Sequence, residues 1–145
     1  MSTCPELVAS AIIRNRAGSM LLIRQKKWAN TFSCFIGGHV EYGEPVLSAL
    51  EREIMEEVGL HVSEIQFLRW DEWVVAPPRF HREAHLVFLN FVCLADDTEV
   101  SLSQSDEIQE ALWTTLEDAR ELVNQEARPI IDRLLADEDA RSASA

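Results

Sequence analysis

The sequence predicts a single α+β domain, a mixed β-sheet flanked by helices in an α/β/α sandwich. Three observations carry this prediction. The chain has 145 residues, 47% hydrophobic and 26% charged, which suits one globular domain able to bury a core. Short apolar runs with strand character recur at 8–14, 20–24, 65–75, 85–94 and 108–113. Helical periodicity interrupts them at 45–58 and returns near the C-terminus. No internal repeat or low-complexity linker divides the chain, so 1–145 reads as one domain.

Each element has a local cause. Runs 8–14 and 20–24 are joined by the turn-rich NRAGS and predict a β-hairpin. A third strand is expected at 31–36, closed by Gly37 and Gly38. Residues 45–58 predict a helix: Pro45 suits the first turn, Gly59 supplies the stop, and no breaker intervenes. At about 100° per residue, Leu47, Leu50, Ile54 and Val58 share one stripe, the expected buried face. Strands are expected at 65–75, 85–94 and 108–113, with Pro77 and Pro78 separating the first two. The run HLVFLNFVCL is apolar at both parities, the pattern of a central strand covered on both faces. Helices are expected at 116–124, where Leu116, Ala119 and Val123 share a face, and at 129–135, where Ile131, Leu134 and Leu135 do. The order is β-β-β-α-β-β-β-α, closing in these helical segments. The stretch 136–145, ADEDARSASA, is small, polar and charged and is expected to fray.

Composition removes several function classes. A net charge of −12 opposes a nucleic-acid surface, which relies on clustered Lys and Arg. No apolar run approaches the roughly 18–20 residues of a membrane span, so no membrane partner is expected. The start MSTCPELVAS lacks the basic lead and long apolar region of a signal peptide, and a cytoplasmic location is expected. Cys4, Cys34 and Cys93 lie far apart, against a disulfide framework and against a zinc site built from close pairs.

The stretch GGHVEYGEPVLSALEREIMEEVGL, 37–60, is the chemical anomaly. It holds Glu41, Glu44, Glu51, Glu53, Glu56 and Glu57, with Arg52 as the one cation among them. Like charges one helical turn apart repel by roughly 0.2–0.5 kcal/mol per pair. Glu53, Glu56 and Glu57 have i, i+3 and i+4 spacing, so they converge on one patch, and Glu57 abuts Leu50 of the apolar stripe. Three carboxylates at a core's edge are poorly screened by water, and one arginine does not neutralise them. A solvated acidic face is the plain reading of a Glu-rich helix. The functional reading is a hard divalent cation such as Mg²⁺, which prefers oxygen ligands and is held through a few carboxylates plus substrate phosphates.

The flanking spacing decides between them. From Gly38 it runs glycine, five residues, Glu44, seven residues, then Arg52-Glu53-Ile54-x-Glu56-Glu57-x-Gly59-Leu60. This resembles the Nudix box at every defined position. The stretch has neither the alternating Asp/Asn ligands of an EF-hand loop nor the Gly-Lys-Ser/Thr of a P-loop. The resemblance implies a Nudix-like fold and hydrolysis of a nucleoside diphosphate linked to another group, with water attacking phosphorus. It implies Glu53, Glu56 and Glu57 as ligands of Mg²⁺, with Mn²⁺ as a substitute, and a backbone carbonyl ligand from the glycine loop at Gly38. Arg52 would orient the glutamates, Glu44 would tie the loop to the helix, and Glu53 or Glu56 would act as the base. Many relatives carry proline before the double glycine; here Ile36 stands there, a departure that bears on the loop.

The substrate-binding set expected alongside is Gly37, Gly38, Arg24, Arg79 and Arg82, the last two in the loop APPRFHRE. Arg24, with Lys26 and Lys27, reads equally as a strand-end cation, solvated. Trp28, Trp70, Trp73 and Phe80 are candidate stacking platforms, although aromatics in such runs are more often core. His81 and His85 read as loop polarity and a strand start. The tyrosine of dinucleoside polyphosphate hydrolases and the tryptophan-proline signature of NADH diphosphatases are both missing downstream of the box. The resemblance therefore points to ADP-ribose or a nucleotide sugar, with (d)NTPs second and a non-cleaving nucleotide sensor third. The partner is a small-molecule nucleotide, and a homodimer stays open because many relatives dimerise.

Overall fold

In chain order the elements are β1 (Glu6–Arg14), β2 (Met20–Gln25), β3 (Ile36–His39), α1 (Val46–Val58), β4 (Val62–Val75), β5 (Ala84–Ala95), β6 (Ile108–Thr114), α2 (Leu116–Leu122) and α3 (Arg128–Ser144). They come from a computed structural model that describes residues 4–27, 30–103 and 105–144. β1 is the spine of the sheet. It pairs in parallel with β5 from Glu6↔Leu86 to Arg14↔Leu94. Its other edge pairs antiparallel with β3 at 8–11 and meets β2 at Arg14↔Met20. The path is β4-β5-β1-β2-β6, with β3 beside β1, and the α+β sandwich expected from the sequence is the fold.

Side-chain parity along β1 builds two cores. Ala9, Ala11 and Ile13 enter one with Leu50, Ile54 and Val58 of α1. Ile12 enters the other with Leu116 and Ala119 of α2 and Ile131 of α3. β5 divides likewise, Phe91 and Cys93 to the first core and Val92 to the second, which accounts for the unbroken apolar run HLVFLNFVCL. Among the described residues, no helix is long and apolar enough to cross a membrane.

Three expectations are corrected. The third strand is not 31–36: pairing runs from Ile36 through Gly37 and Gly38 to His39, while Phe32 and Ser33 make only isolated bridges to Val123 and Ile23. The cause is steric, since a Cβ at Gly37 would lie 2.0 Å from the Ala9 carbonyl oxygen. The glycines therefore permit pairing with β1 instead of ending a strand. The buried face of α1 is Ala49, Leu50, Ile54 and Val58, whereas Leu47 is 47% exposed. Ala49 lets the helix sit close to the sheet. The helix still ends at Gly59, whose φ of 69° is left-handed and whose N–H donates to the Met55 carbonyl. The tail also differs, because α3 continues to Ser144. Residues 136–144 include no proline or glycine and three alanines, Ala136, Ala140 and Ala143, and Glu138 pairs with Arg14 at 2.5 Å.

The start of β1 is tied to the 76–83 link. Arg82 donates from Nη1 to Glu6 Oε2 at 2.6 Å and from Nη2 to Oε1 at 2.8 Å, and His39 Nε2 lies 2.9 Å from Oε1. The Arg82 hydrogen bonds hold the Glu6 carboxyl at about 2. A depressed carboxyl stabilises the fold fully above the unfolded value, about 4.3 for glutamate, and loses that contribution as pH falls toward its folded value. Glu6→Gln is therefore expected to lower Tm at pH 7, and thermal denaturation against pH should show the difference closing below about pH 4.

Candidate active site

Arg52 is the hub of the acidic helix. Its Nε donates to Glu44 Oε2 at 2.8 Å and its Nη2 to Glu44 Oε1 at 2.9 Å, a two-pronged pair with fixed orientation. Nη1 donates to Glu53 Oε1 at 3.0 Å and to Glu56 at 3.4 Å, and Nη2 also reaches the His39 carbonyl at 3.2 Å. The Glu41 backbone N–H donates to Glu44 Oε1 at 3.2 Å. One side chain thus fastens the 39–44 link to α1. Hydrogen bonding from Arg52 holds the Glu44 carboxyl below its ordinary value.

The remaining carboxylates are strained electrostatically. Burial raises Glu53, and it outweighs the opposing Arg52 contact. Burial also raises Glu57, with repulsion from Glu53, Glu107 and Glu56 adding in that order. Glu107, in the link before β6, is therefore a fourth carboxylate of this region; sequence reasoning missed it because it lies far from the box and in no repeating pattern.

The expected three-glutamate cage is not assembled. Among the described residues, no three His, Cys, Asp or Glu side chains are gathered closely enough to hold a metal ion. The Arg52 guanidinium contacts both Glu53 and Glu56 and supplies the positive charge between them. The donor chemistry still fits a hard divalent cation: the ligating atoms are carboxylate oxygens, and the raised Glu53 and Glu57 mark negative charge in want of a counter-charge. Glu56, with 51% of its side chain exposed, has room to turn.

The two glycines of β3 lead to opposite sides. A Cβ at Gly38 would sit 2.5 Å from Glu53 Oε2, so only glycine lets that carboxylate lie against the strand. Gly37 opens instead into a cleft of about 780 Å³ lined by Ser10, Asn90, Trp73, Phe88, Arg79 and Asn124 among others. Ser10 and Val8 share the parity of Ile12, so the cleft lies on the sheet face away from α1.

The other expected residues divide. Arg79 lines the cleft. Arg24 is engaged elsewhere, at 3.3 Å from Glu110 and 3.1 Å from Gln109 and over the Phe32 ring at 6.0 Å. Arg82 is held by Glu6 and does not line the cleft, because the bidentate carboxylate captures it. Trp28 lies outside the described residues. Trp70 and Trp73 are 59% and 53% exposed, not core, since β4 is a sheet edge. Trp73 lines the cleft, its ring 4.8 Å from that of Phe88. Phe80 stacks on His81 at 4.3 Å, and His85 pairs with Glu72 at 2.6 Å.

A buried polar chain went unread in the sequence. Ser10 Oγ donates to Asn90 Oδ1 at 2.5 Å, and Asn90 Nδ2 donates to Asp71 Oδ2 at 2.7 Å. The available signal was Asn90 itself, a polar residue in the middle of the apolar run 86–95.

Fold and site define a class: an α+β sandwich in which a glycine strand joins a carboxylate-bearing helix to an open cleft of about 780 Å³. The chain belongs to the Nudix family, whose NUDIX domain model matches residues 5–134. It is 30% identical over 135 residues to the NAD-capped RNA hydrolase NudC of Pseudomonas aeruginosa, covering 91% of this chain and 45% of that protein. The chain thus spans less than half the length of the curated relatives it matches, 32% for NudC of Mycobacterium tuberculosis. Among solved structures, a MutT NUDIX hydrolase from Burkholderia pseudomallei superposes with a TM-score of 0.71 at 25% identity, over 89% of this chain and 97% of that one. The E. coli dihydroneopterin triphosphate pyrophosphohydrolase has a TM-score of 0.73 at 17% identity, over 90% and 95%, a likeness of fold.

The glycines make contrasting variants. Gly37→Ala sets a methyl against backbone and should lower Tm by about 4–10 °C in a thermal melt. Gly38→Ala meets only the movable end of Glu53, so Tm should shift by less than about 3 °C while turnover falls at least roughly tenfold. Glu57→Gln removes a repelled, half-buried charge and should raise Tm in chelator-treated buffer at pH 7.5 by about 2–4 °C. Because the Glu57 carboxyl is raised, its charge penalty fades on acidification, so this gain should shrink as pH drops toward 5; added Mg²⁺ should stabilise the unsubstituted protein more than the variant.

Proposed function

We propose that this protein hydrolyses the diphosphate bond of a nucleoside diphosphate joined to a second group, ADP-ribose or a nucleotide sugar, using Mg²⁺ and water. The observation that carries this reading is the adjacency of Gly37 and Gly38, one lining a cleft with room for a nucleotide and the other packed on Glu53. NudC relatives are named NAD-capped RNA hydrolases, and NAD is itself two nucleosides joined by a diphosphate, which supports a diphosphate-linked substrate. The net charge of −12 favours a free nucleotide over an RNA chain.

Glu53, Glu56 and Glu57, with the Gly38 carbonyl, would hold the cation, which when bound neutralises phosphate charge and acidifies water. Arg52 orients Glu53 and Glu56 and keeps the 39–44 link fixed on the helix. Glu56 or Glu53 takes the proton of the attacking water. Arg79 brings to the cleft positive charge that the helix lacks.

A substrate panel tests this. ADP-ribose, nucleotide sugars, dinucleoside polyphosphates and (d)NTPs are incubated with Mg²⁺ or Mn²⁺, and released nucleoside monophosphate, phosphate and diphosphate are quantified. The expected product is nucleoside monophosphate from the first two groups, and Glu56→Gln should cut the rate by about 100-fold or more with the melting curve unchanged. Turnover confined to (d)NTPs would replace the substrate class, and no turnover on any compound would leave a nucleotide-binding domain.

A further inference from the structure

β4 ends the strand path β4-β5-β1-β2-β6 and, among the described residues, pairs with β5 alone, so its outer backbone edge has no partner. It is 14 residues long, against 7 for β6 at the other end of the path. Exposed edge strands are ordinarily short, or interrupted by proline or lysine, because an open row of N–H and C=O groups invites another strand. β4 contains neither residue, and beyond the bulge between Phe67 and Arg69 its register runs unbroken to Val75. One side of this edge is also apolar. Phe67, Trp70 and Val74 are 57%, 59% and 78% exposed. Trp70 lies opposite Leu89, Val74 shares its parity, and Phe67 packs on the Phe91 ring at 5.6 Å, which puts all three on the α1 face of the sheet. Large apolar side chains gathered in water along one strand mark an interaction surface.

We propose that this edge is the interface of a homodimer, in which β4 pairs antiparallel with the β4 of a second copy about a two-fold axis at Trp70, joining the two sheets into one. Charge favours a second copy as the occupant. The chain carries −12 overall, but 65–75 sets Arg69 against only Asp71 and Glu72, so two copies meet here with little repulsion. Charge also selects the axis. Opposed residues of an antiparallel pair share a face, so the axis passes through a single residue and not between two. An axis at Arg69, Asp71 or Glu72 would set a charged side chain against its own copy. At Trp70 it sets Arg69 opposite the partner's Asp71, twice over, and Trp70 against the partner's Trp70. Each Arg69 already holds its own Asp71, Nε to Oδ2 at 3.0 Å and Nη2 to Oδ1 at 2.9 Å, so the two pairs form a ring of alternating charge. Arg69 and Asp71 line the cleft on the other face, and the partner's β4 extends its wall.

Light scattering across a size-exclusion peak at micromolar concentration should give twice the 16.5 kDa of one chain. Trp70→Asp should return the mass to that of one chain with an unchanged far-ultraviolet circular dichroism spectrum. Leu112→Asp, the same change at an exposed leucine of the opposite edge strand, should leave the dimer intact. Cysteines test the axis in a Cys4→Ser background, Cys34 and Cys93 being buried. Trp70→Cys should cross-link on oxidation with copper phenanthroline, since opposed Cα atoms stand about 4.5–5.5 Å apart, within disulfide reach. Glu72→Cys should not, because its two copies would be offset by about 13 Å along the strands. A single-chain mass for the unsubstituted protein would overturn the proposal and leave β4 open to a different protein or to none. A dimer that survives Trp70→Asp, or one that cross-links through Glu72→Cys and not through Trp70→Cys, would put the interface or its axis elsewhere and overturn it as well. If Trp70→Asp fails to fold, the pair of cysteine variants decides.

Discussion

A side chain at position 37 would stand 2.0 Å from the Ala9 carbonyl oxygen, and one at 38 would stand 2.5 Å from the Glu53 carboxyl. The approach of β3 to β1 therefore depends on a missing Cβ at 37, and the lie of the Glu53 carboxylate against β3 on a missing Cβ at 38. With β3 in place, the helix stacks its apolar stripe on the odd-numbered residues of β1. The glycine edge then connects two faces of the sheet that would otherwise be chemically separate. Acidic residues gather on one face, and an aromatic-lined cleft opens on the other.

The acidic face sets stability against function. Burial and mutual repulsion raise Glu53 and Glu57, so each is held in a less favourable environment than water offers. Arg52 offsets part of this, but its strongest geometry goes to Glu44, the residue that secures the link. The helix is thus anchored firmly at its loop and left under-neutralised where Glu53 and Glu57 are partly buried. Such concentration of perturbed carboxylates is typical of sites arranged for charge, not for fold stability.

The cleft follows a different logic. Its polar groups are satisfied among themselves, Ser10 to Asn90 to Asp71, with Arg69 closing the chain. Ser10 and Asn90 are buried and the Asp71–Arg69 end reaches the surface, so the network runs from the core to the cleft wall. The α1 face thus carries under-neutralised carboxylates, and the opposite face carries a closed hydrogen-bond network.

Much of this was legible in one dimension. The α1 helix, its Gly59 stop, the two-sided burial of β5 and the grouping of Glu44, Arg52, Glu53 and Glu56 all follow from local spacing, because helical periodicity and cap chemistry act over a few residues. The misreadings share a cause. The shift of β3 onto its glycines, the exposure of Leu47 and of Trp70 and Trp73, and the capture of Arg82 by Glu6 each depend on a partner distant in the chain. The same holds for α3, whose Glu138 pairs with Arg14. Asn90 gave a hint as a polar residue in the middle of an apolar run, but its partners Ser10 and Asp71 come from two other strands. By itself the sequence determined the fold class, the acidic helix and the family, since these rest on short-range pattern. Only the tertiary structure decided which charges are spent on each other and which face the cleft, because pairing between strands is set by sheet register and not by distance along the chain.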